Sequence, residues 1–270
     1  MKLIATTMAA ALLAAPAIAG TVKVTITNNN GPEGLFYTPF LTVIHDGSYV
    51  PFVNGDAASP GIEELAEVGG TGTAAAEAVD AADPNRIIRT ITDPAGVGDP
   101  GVGGPPVFDP GNAVSEVFRI GADAQYITLL SMIIPSNDTF LAATFDLFDD
   151  LGELNVGSFT LDRLNVYDAG TEVNQSFGQA FNPSDGNGPG TLGDPENGLI
   201  HLSSDDELAT LFGETVPPFA GGFLTNRSDV DFSNLASVTI SEVPLPAAGW
   251  ALLAALGGMG AFARRRRTAA

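Results

Sequence analysis

Cysteine is absent from the 270 residues of this chain, histidine occurs twice, and Lys and Arg together number only eleven. The first absence excludes disulfides, thiolate zinc sites and cysteine nucleophiles; the second leaves little for imidazole chemistry. Positive charge is scarcer still in the part that folds. Lys2 and Arg264 to Arg267 lie at the two ends, leaving Lys23, Arg86, Arg89, Arg119, Arg163 and Arg227 against 32 acidic residues, all of them between the ends. Such a body does not hold nucleic acid or an anionic bilayer through simple electrostatics. Divalent cations would relieve its self-repulsion.

Both termini read as targeting segments. Residues 1–19 combine Lys2, a short apolar run from Leu3 to Ala15 and the small-residue ending Ala17-Ile18-Ala19. That is the pattern of an export signal peptide, too short for a comfortable membrane span. Residues 243–270 place Val243-Pro244-Leu245-Pro246-Ala247 before an apolar stretch from Ala248 to Ala263 and four arginines. The apolar stretch is at the low end of a transmembrane helix, and the arginines would stay cytoplasmic. A permanent single-pass anchor is the other reading of the same residues.

Residues 20–242 form the body, and their pattern is that of strands. Val22, Val24 and Ile26 alternate with polar residues, Val114, Glu116, Phe118 and Ile120 share one face of a strand, and Tyr126 to Ile134 is a nearly continuous apolar run suited to a central strand. Further strands are expected at 36–45, 87–92, 141–148, 157–166, 199–202 and 235–243. Helical patterning is limited to the stretch opened by Ser59-Pro60, a second Ala-rich piece at 74–82, and a capped turn at Ser204-Asp205-Asp206-Glu207. The Gly- and Pro-rich loop from Asp93 to Ala113 lacks the Gly-Lys-Ser/Thr ending of a phosphate cradle. His45 beside Asp46 does not make a catalytic pair, since strand neighbours point to opposite faces.

Three acidic residues stand in turn-like contexts: Asp138 after the central strand, and Asp168 and Glu172 in Tyr167-Asp168-Ala169-Gly170-Thr171-Glu172. Two carboxylates four residues apart around a glycine, joined by one from another loop, suit a calcium-type oxygen site. A solvated acidic loop has the same spacing. Asp229-Val230-Asp231 is a secondary metal candidate.

These residues also carry a resemblance. Thr38-Pro39-Phe40, His45-Asp46-Gly47-Ser48, Ala58-Ser59-Pro60-Gly61, Ser131 to Asp138 and Tyr167 to Glu172 occur in the order seen in spondin N-terminal domains. The resemblance implies an all-β antiparallel eight-stranded sandwich like those of calcium- and phospholipid-binding domains. It also implies a calcium ion held by Asp138, Asp168 and Glu172. Glu172 departs from the more usual Asp, and the disulfides of animal members are missing. The C-terminal segment is similar to the VPLPA-type variant of the PEP-CTERM sorting signals of Gram-negative bacteria, which implies processing by an exosortase-like transpeptidase. The combined expectation is an exported, surface-directed, non-enzymatic adhesion or matrix protein, with biofilm or extracellular polysaccharide as its setting. The alternatives are a secreted carboxylate-dependent glycan hydrolase and a purely structural surface protein.

Overall fold

The computed structural model describes residues 18–96, 107–175, 179, 192–213 and 225–243. Two antiparallel sheets face each other. The smaller contains β1 (Ile18–Asn28), β5 (Ala113–Gly121), β8 (Gly157–Leu161) and β11 (Ala236–Glu242), in the order β5-β1-β11-β8. The larger runs β10-β9-β7-β6-β3-β4, built from β10 (His201–Leu202), β9 (Val166–Asp168), β7 (Thr139–Asp146), β6 (Tyr126–Ile134), β3 (Phe40–His45) and β4 (Ile87–Ile91), while β2 (Phe36–Tyr37) pairs with the far end of β6. The all-β sandwich expected from the sequence is therefore present. Eight of its strands have five or more residues, and β2, β9 and β10 are short additions of two or three.

Alternation explains how the layers join. Val22, Val24 and Ile26 of β1 and Val238 and Ile240 of β11 point between the sheets, where they meet Ile127, Leu129 and Ile133 of β6. The opposite face of the larger sheet is also covered: Leu41, Val43 and Leu130 pack under Ile62, Leu65 and Ala66 of α1 (Pro60–Val68) and under α2 (Gly72–Glu77). Strand β6 thus buries side chains on both faces, and this is why its sequence is apolar without alternation. Helix α1 begins where Ser59 Oγ accepts the Ile62 N–H, and it ends at Gly69, whose left-handed φ of 69° returns its N–H to the last turn.

One sequence expectation changes. The segment 157–166 is not one strand: Asp162 accepts the Leu164 N–H at 2.7 Å while Asn165 Oδ1 accepts the Asp162 N–H at 3.0 Å. This reciprocal cap makes a single 3-10 turn, and the chain crosses from β8 in one sheet to β9 in the other. At the end of β1, Asn28 and Asn30 are buried. Asn28 donates to the carbonyls of Leu35 and Phe108 at 2.9 and 3.0 Å, and Asn30 donates to the Tyr37 hydroxyl, which donates in turn to the Leu235 carbonyl. These bonds stitch the two sheets at one end of the sandwich.

Strand β1 starts at Ile18, two residues inside the expected leader. The remainder of the leader and the C-terminal segment from Pro244 lie outside the described residues. Among the described residues no helix is long and apolar enough to cross a membrane.

Candidate metal centre

Asp138 follows β6, whose last residue, Ile134, is joined to Pro135 by a cis peptide bond, and precedes β7. Thr139 pairs with Asp168 across β7 and β9, so the sheet itself brings the Asp138 loop against Asp168. The chain then turns at Gly170, whose φ is +67°. A β-carbon at that position would lie 2.6 Å from the Leu199 nitrogen and 2.8 Å from the Gly198 carbonyl carbon, so both the handedness and the closeness of the turn require glycine. Its outcome is that Thr171 and Glu172 aim their backbone N–H groups at Asp138 Oδ2, at 2.7 and 3.0 Å.

All three sequence-predicted carboxylates are buried: Asp138 and Asp168 are fully inaccessible and Glu172 is 3 % exposed. Each has at least one oxygen that is satisfied. Asp168 Oδ1 accepts the Gly170 N–H at 2.7 Å, its Oδ2 accepts the Asn174 amide, and Glu172 Oε1 accepts the Gly193 N–H at 2.5 Å. The other oxygens of Asp138 and Glu172, Oδ1 and Oε2, are buried and have no hydrogen-bond partner among the described residues, as is the case for Asn174 Oδ1. Buried acceptors without a donor are costly, and carboxylate oxygens more so than most.

The electrostatics follow from this crowding. Burial, and then the charge of Asp168, push the Asp138 carboxyl up to about 7 against the pull of the Thr171 and Glu172 amides. Burial likewise raises Glu172 to about 7, with Glu67, Asp138 and Asp194 adding repulsion and the Gly193 amide opposing it. Asp168 is raised for the same first reason, despite its bonds from Asn174 and Gly170. The oxygen-only set suits a hard cation such as calcium, which would supply the charge these groups lack.

A different trio places one ligand atom each within 4.8 Å of the others, namely Asp168, His201 and Glu207. Asp138, Asp168 and Glu172 do not approach so closely. His201 is nevertheless unsuited to a metal, because both ring nitrogens face oxygen acceptors: Nδ1 is 2.9 Å from the Leu199 carbonyl and Nε2 is 3.0 Å from Glu207 Oε1. Burial opposes its charge, but that carbonyl, Glu207 and Asp168 together raise His201 to about 9. A metal ligand must offer a lone pair, whereas both His201 nitrogens are turned to oxygen acceptors and the ring bridges Glu207 and Asp168.

The other acidic candidates serve their own turns. Asp229 Oδ2 accepts the Glu33 N–H at 2.9 Å, and Asp231 accepts both the N–H and the hydroxyl of Ser233. Ser204 and Glu207 cap α3 (Asp205–Ala209) reciprocally, as the sequence predicts. His45 and Asp46 do not engage each other: His45 bonds Thr128 Oγ1 and the Gly47 N–H, and Asp46 caps Ser48.

Sequence reasoning missed four participants. Asn174 and Glu67 lie at the site, Asn137 accepts the Gln175 N–H at 3.2 Å, and His201 reaches Asp168 at 3.9 Å. Asn174, two residues beyond Glu172 in an Asx-rich loop, had a local signal; the others arrive through long-range pairing. No curated protein matches the chain. The Spondin_N family model matches residues 32–189, more than half of the 270, and spans all three carboxylates. With its sandwich, its Gly170 turn and this match, the chain belongs to the spondin N-terminal domain family.

Proposed function

We propose that the protein is an exported adhesion or matrix-interaction module whose sandwich is completed by one calcium ion at Asp138, Asp168 and Glu172. The observation that carries the metal reading is the pair of buried carboxylate oxygens, Asp138 Oδ1 and Glu172 Oε2, that have no hydrogen-bond partner among the described residues. When bound, calcium supplies positive charge where three carboxylates repel one another. The chain's own part is to fix the oxygens. The Thr171 and Glu172 amides hold Asp138, the Gly170 amide and Asn174 hold Asp168, and Gly193 holds Glu172. Such a centre ties the end of β6, the loop after β9 and the segment around Gly193 into one unit, which is a structural use of an ion.

The adhesion reading rests on family membership, since fold alone does not fix activity. The burial of the three carboxylates favours an ion over a polymer substrate, which two catalytic carboxyl groups would have to flank in an open cleft. Surface direction through an exosortase-like transpeptidase is part of the same proposal and rests on the C-terminal motif. The test of the metal is thermal unfolding of chelator-stripped protein with calcium titrated into the millimolar range, because extracellular modules bind at roughly 10⁻⁴ to 10⁻³ M. A rise in Tm that Asp168→Asn removes supports the site; the same rise in both proteins refutes it. Mass spectrometry of the surface-released protein, ending near Pro244 to Ala247 or retaining the arginines, decides the processing.

A further inference from the structure

A cleft of about 490 Å³ opens on the outer face of the larger sheet, beside the helical layer. The strand register explains why it is there. Thr128 of β6 pairs with Thr144 of β7, and Leu130 with Ala142, so these residues share the face that α1 and α2 cover at Leu130. Past the helices, Thr128, Ala142 and Thr144 are too small to fill the space. The walls are aromatic, with Tyr49 and Phe52 from the loop after β3 and Tyr126 and Tyr167 from the sheet.

Two properties of the lining define its ligand. Among the described residues it contains no Asp, Glu, Lys or Arg, although the chain carries 32 acidic residues. The polar groups it offers both donate and accept: the exposed Thr144 hydroxyl ends a chain of bonds of 2.9 and 2.8 Å that runs from the buried His45 through the buried Thr128, and the Asn54 and Asn165 amides border the cleft. The loop wall is fastened in place. Arg86 is buried beneath it, donates to Ser48 Oγ at 2.6 Å and stands 5.5 Å from the Tyr49 ring centre, while Phe52 packs edge-on against Tyr167 at 4.9 Å. A preformed cleft of this size with apolar walls and a few polar groups is the usual form of a small-ligand site, for which volumes of roughly 300–1,000 Å³ are typical.

We infer that this cleft binds an uncharged glycan, one or two neutral hexose units of an extracellular polysaccharide. A pyranose presents C–H faces, which aromatic π-clouds attract, and hydroxyls that both donate and accept. Uronates are disfavoured by an acidic chain with no cation in the lining. Proline-rich peptide offers carbonyl acceptors but few donors, which leaves the threonine, tyrosine and asparagine acceptors unmatched. The inference rests on the adhesion reading and names its ligand class. It is spatially distinct from the metal centre: Tyr167 and Asp168 are consecutive in β9 and so point to opposite faces.

The experiment is calorimetric titration of the intact chain with uncharged gluco-, manno- and galacto-oligosaccharides, beside uronate oligomers and a proline-rich peptide. The variants are Phe52→Ala and the exposed Asn54→Ala, which keeps the proposal testable should the first lose its fold. An uncharged oligosaccharide should bind, weaken about tenfold with Phe52→Ala and several-fold with Asn54→Ala, and bind equally in EDTA. Absence of binding by every uncharged sugar, preference for the uronate or the peptide, or unchanged affinity in Asn54→Ala and Phe52→Ala overturns it. Binding that EDTA abolishes but both variants retain moves the ligand to the carboxylates and removes the cleft. Cleft binding in a protein whose Tm ignores calcium sinks the metal reading alone.

Discussion

Replacing Asp138 by asparagine should make the metal-free protein more stable above neutral pH while abolishing its response to calcium. The folded Asp138 carboxyl holds its proton up to about 7, against 3.8 ordinarily. The folded state therefore binds this proton more tightly than the unfolded chain does, so its contribution is complete below about pH 4 and lost as pH rises toward 7 and above. At about 1.4 kcal/mol per pKa unit the loss amounts to roughly 4 kcal/mol by pH 8. The amide side chain introduced by Asp138→Asn would still accept the Thr171 and Glu172 N–H groups through its oxygen and carries no charge to lose. Calcium works in the other direction: at about 100 times its Kd it adds about 2.7 kcal/mol, or roughly 5–10 °C in Tm for a domain of this size. The assay is a set of thermal melts of chelator-stripped wild type and Asp138→Asn from pH 4 to 8, repeated with about 10 mM calcium at pH 7.5, well above the expected Kd. Wild type should lose stability with rising pH more steeply than the variant, and calcium should restore wild type alone. Parallel pH profiles, or an equal calcium increment in both proteins, would refute the reasoning.

Three further outcomes are expected. Gly170→Ala forces a side chain into a left-handed turn against the Leu199 backbone and should cost about 2 kcal/mol or more, read as a lower midpoint in urea, together with a weakened calcium response. Arg86→Ala leaves the buried Asp83 without its 3.0 Å partner and releases Ser48 and Tyr49, so denaturant unfolding should show a loss of about 3–5 kcal/mol. In the metal-free protein the His201 ring should titrate near 9 by NMR, so that stability gained from its charge is complete below about 6.5 and declines through 9; calcium, by neutralising Asp168, should move that titration downward, and an unshifted value near 6.5 without calcium would contradict the bridge.

What the sequence made legible was local. Alternation in β1 and β5, the unbroken apolar run of β6 and the Ser59-Pro60 start of α1 each state their own structure, because burial on one face, two faces or a helical stripe leaves a periodic trace. Asp138, Asp168 and Glu172 were visible as turn carboxylates. Their shared site depends on β7 pairing with β9, a register fixed only by the assembled sheet. His201 meets Asp168 because β10 pairs with β9 after more than thirty intervening residues, and no spacing rule predicts that return. The break at Asp162 was present in the letters as Asp162-x-x-Asn165, but the apolar residues on either side concealed it. The cleft had no sequence signal at all, since it arises where Thr128, Ala142 and Thr144 fall side by side beyond the reach of the helices.

The order of the smaller sheet also sets how the molecule bears force. Strand β11, the last described, lies between β1 and β8 and is paired to β1 over seven residues, from Val22 with Glu242 to Asn28 with Ala236, and to β8 over five. Tension entering at Val243 cannot peel an edge strand away; it must break two hydrogen-bonded ladders together and draw Val238 and Ile240 out of the space between the sheets. Tension applied there thus meets an interior strand held on both sides rather than an edge.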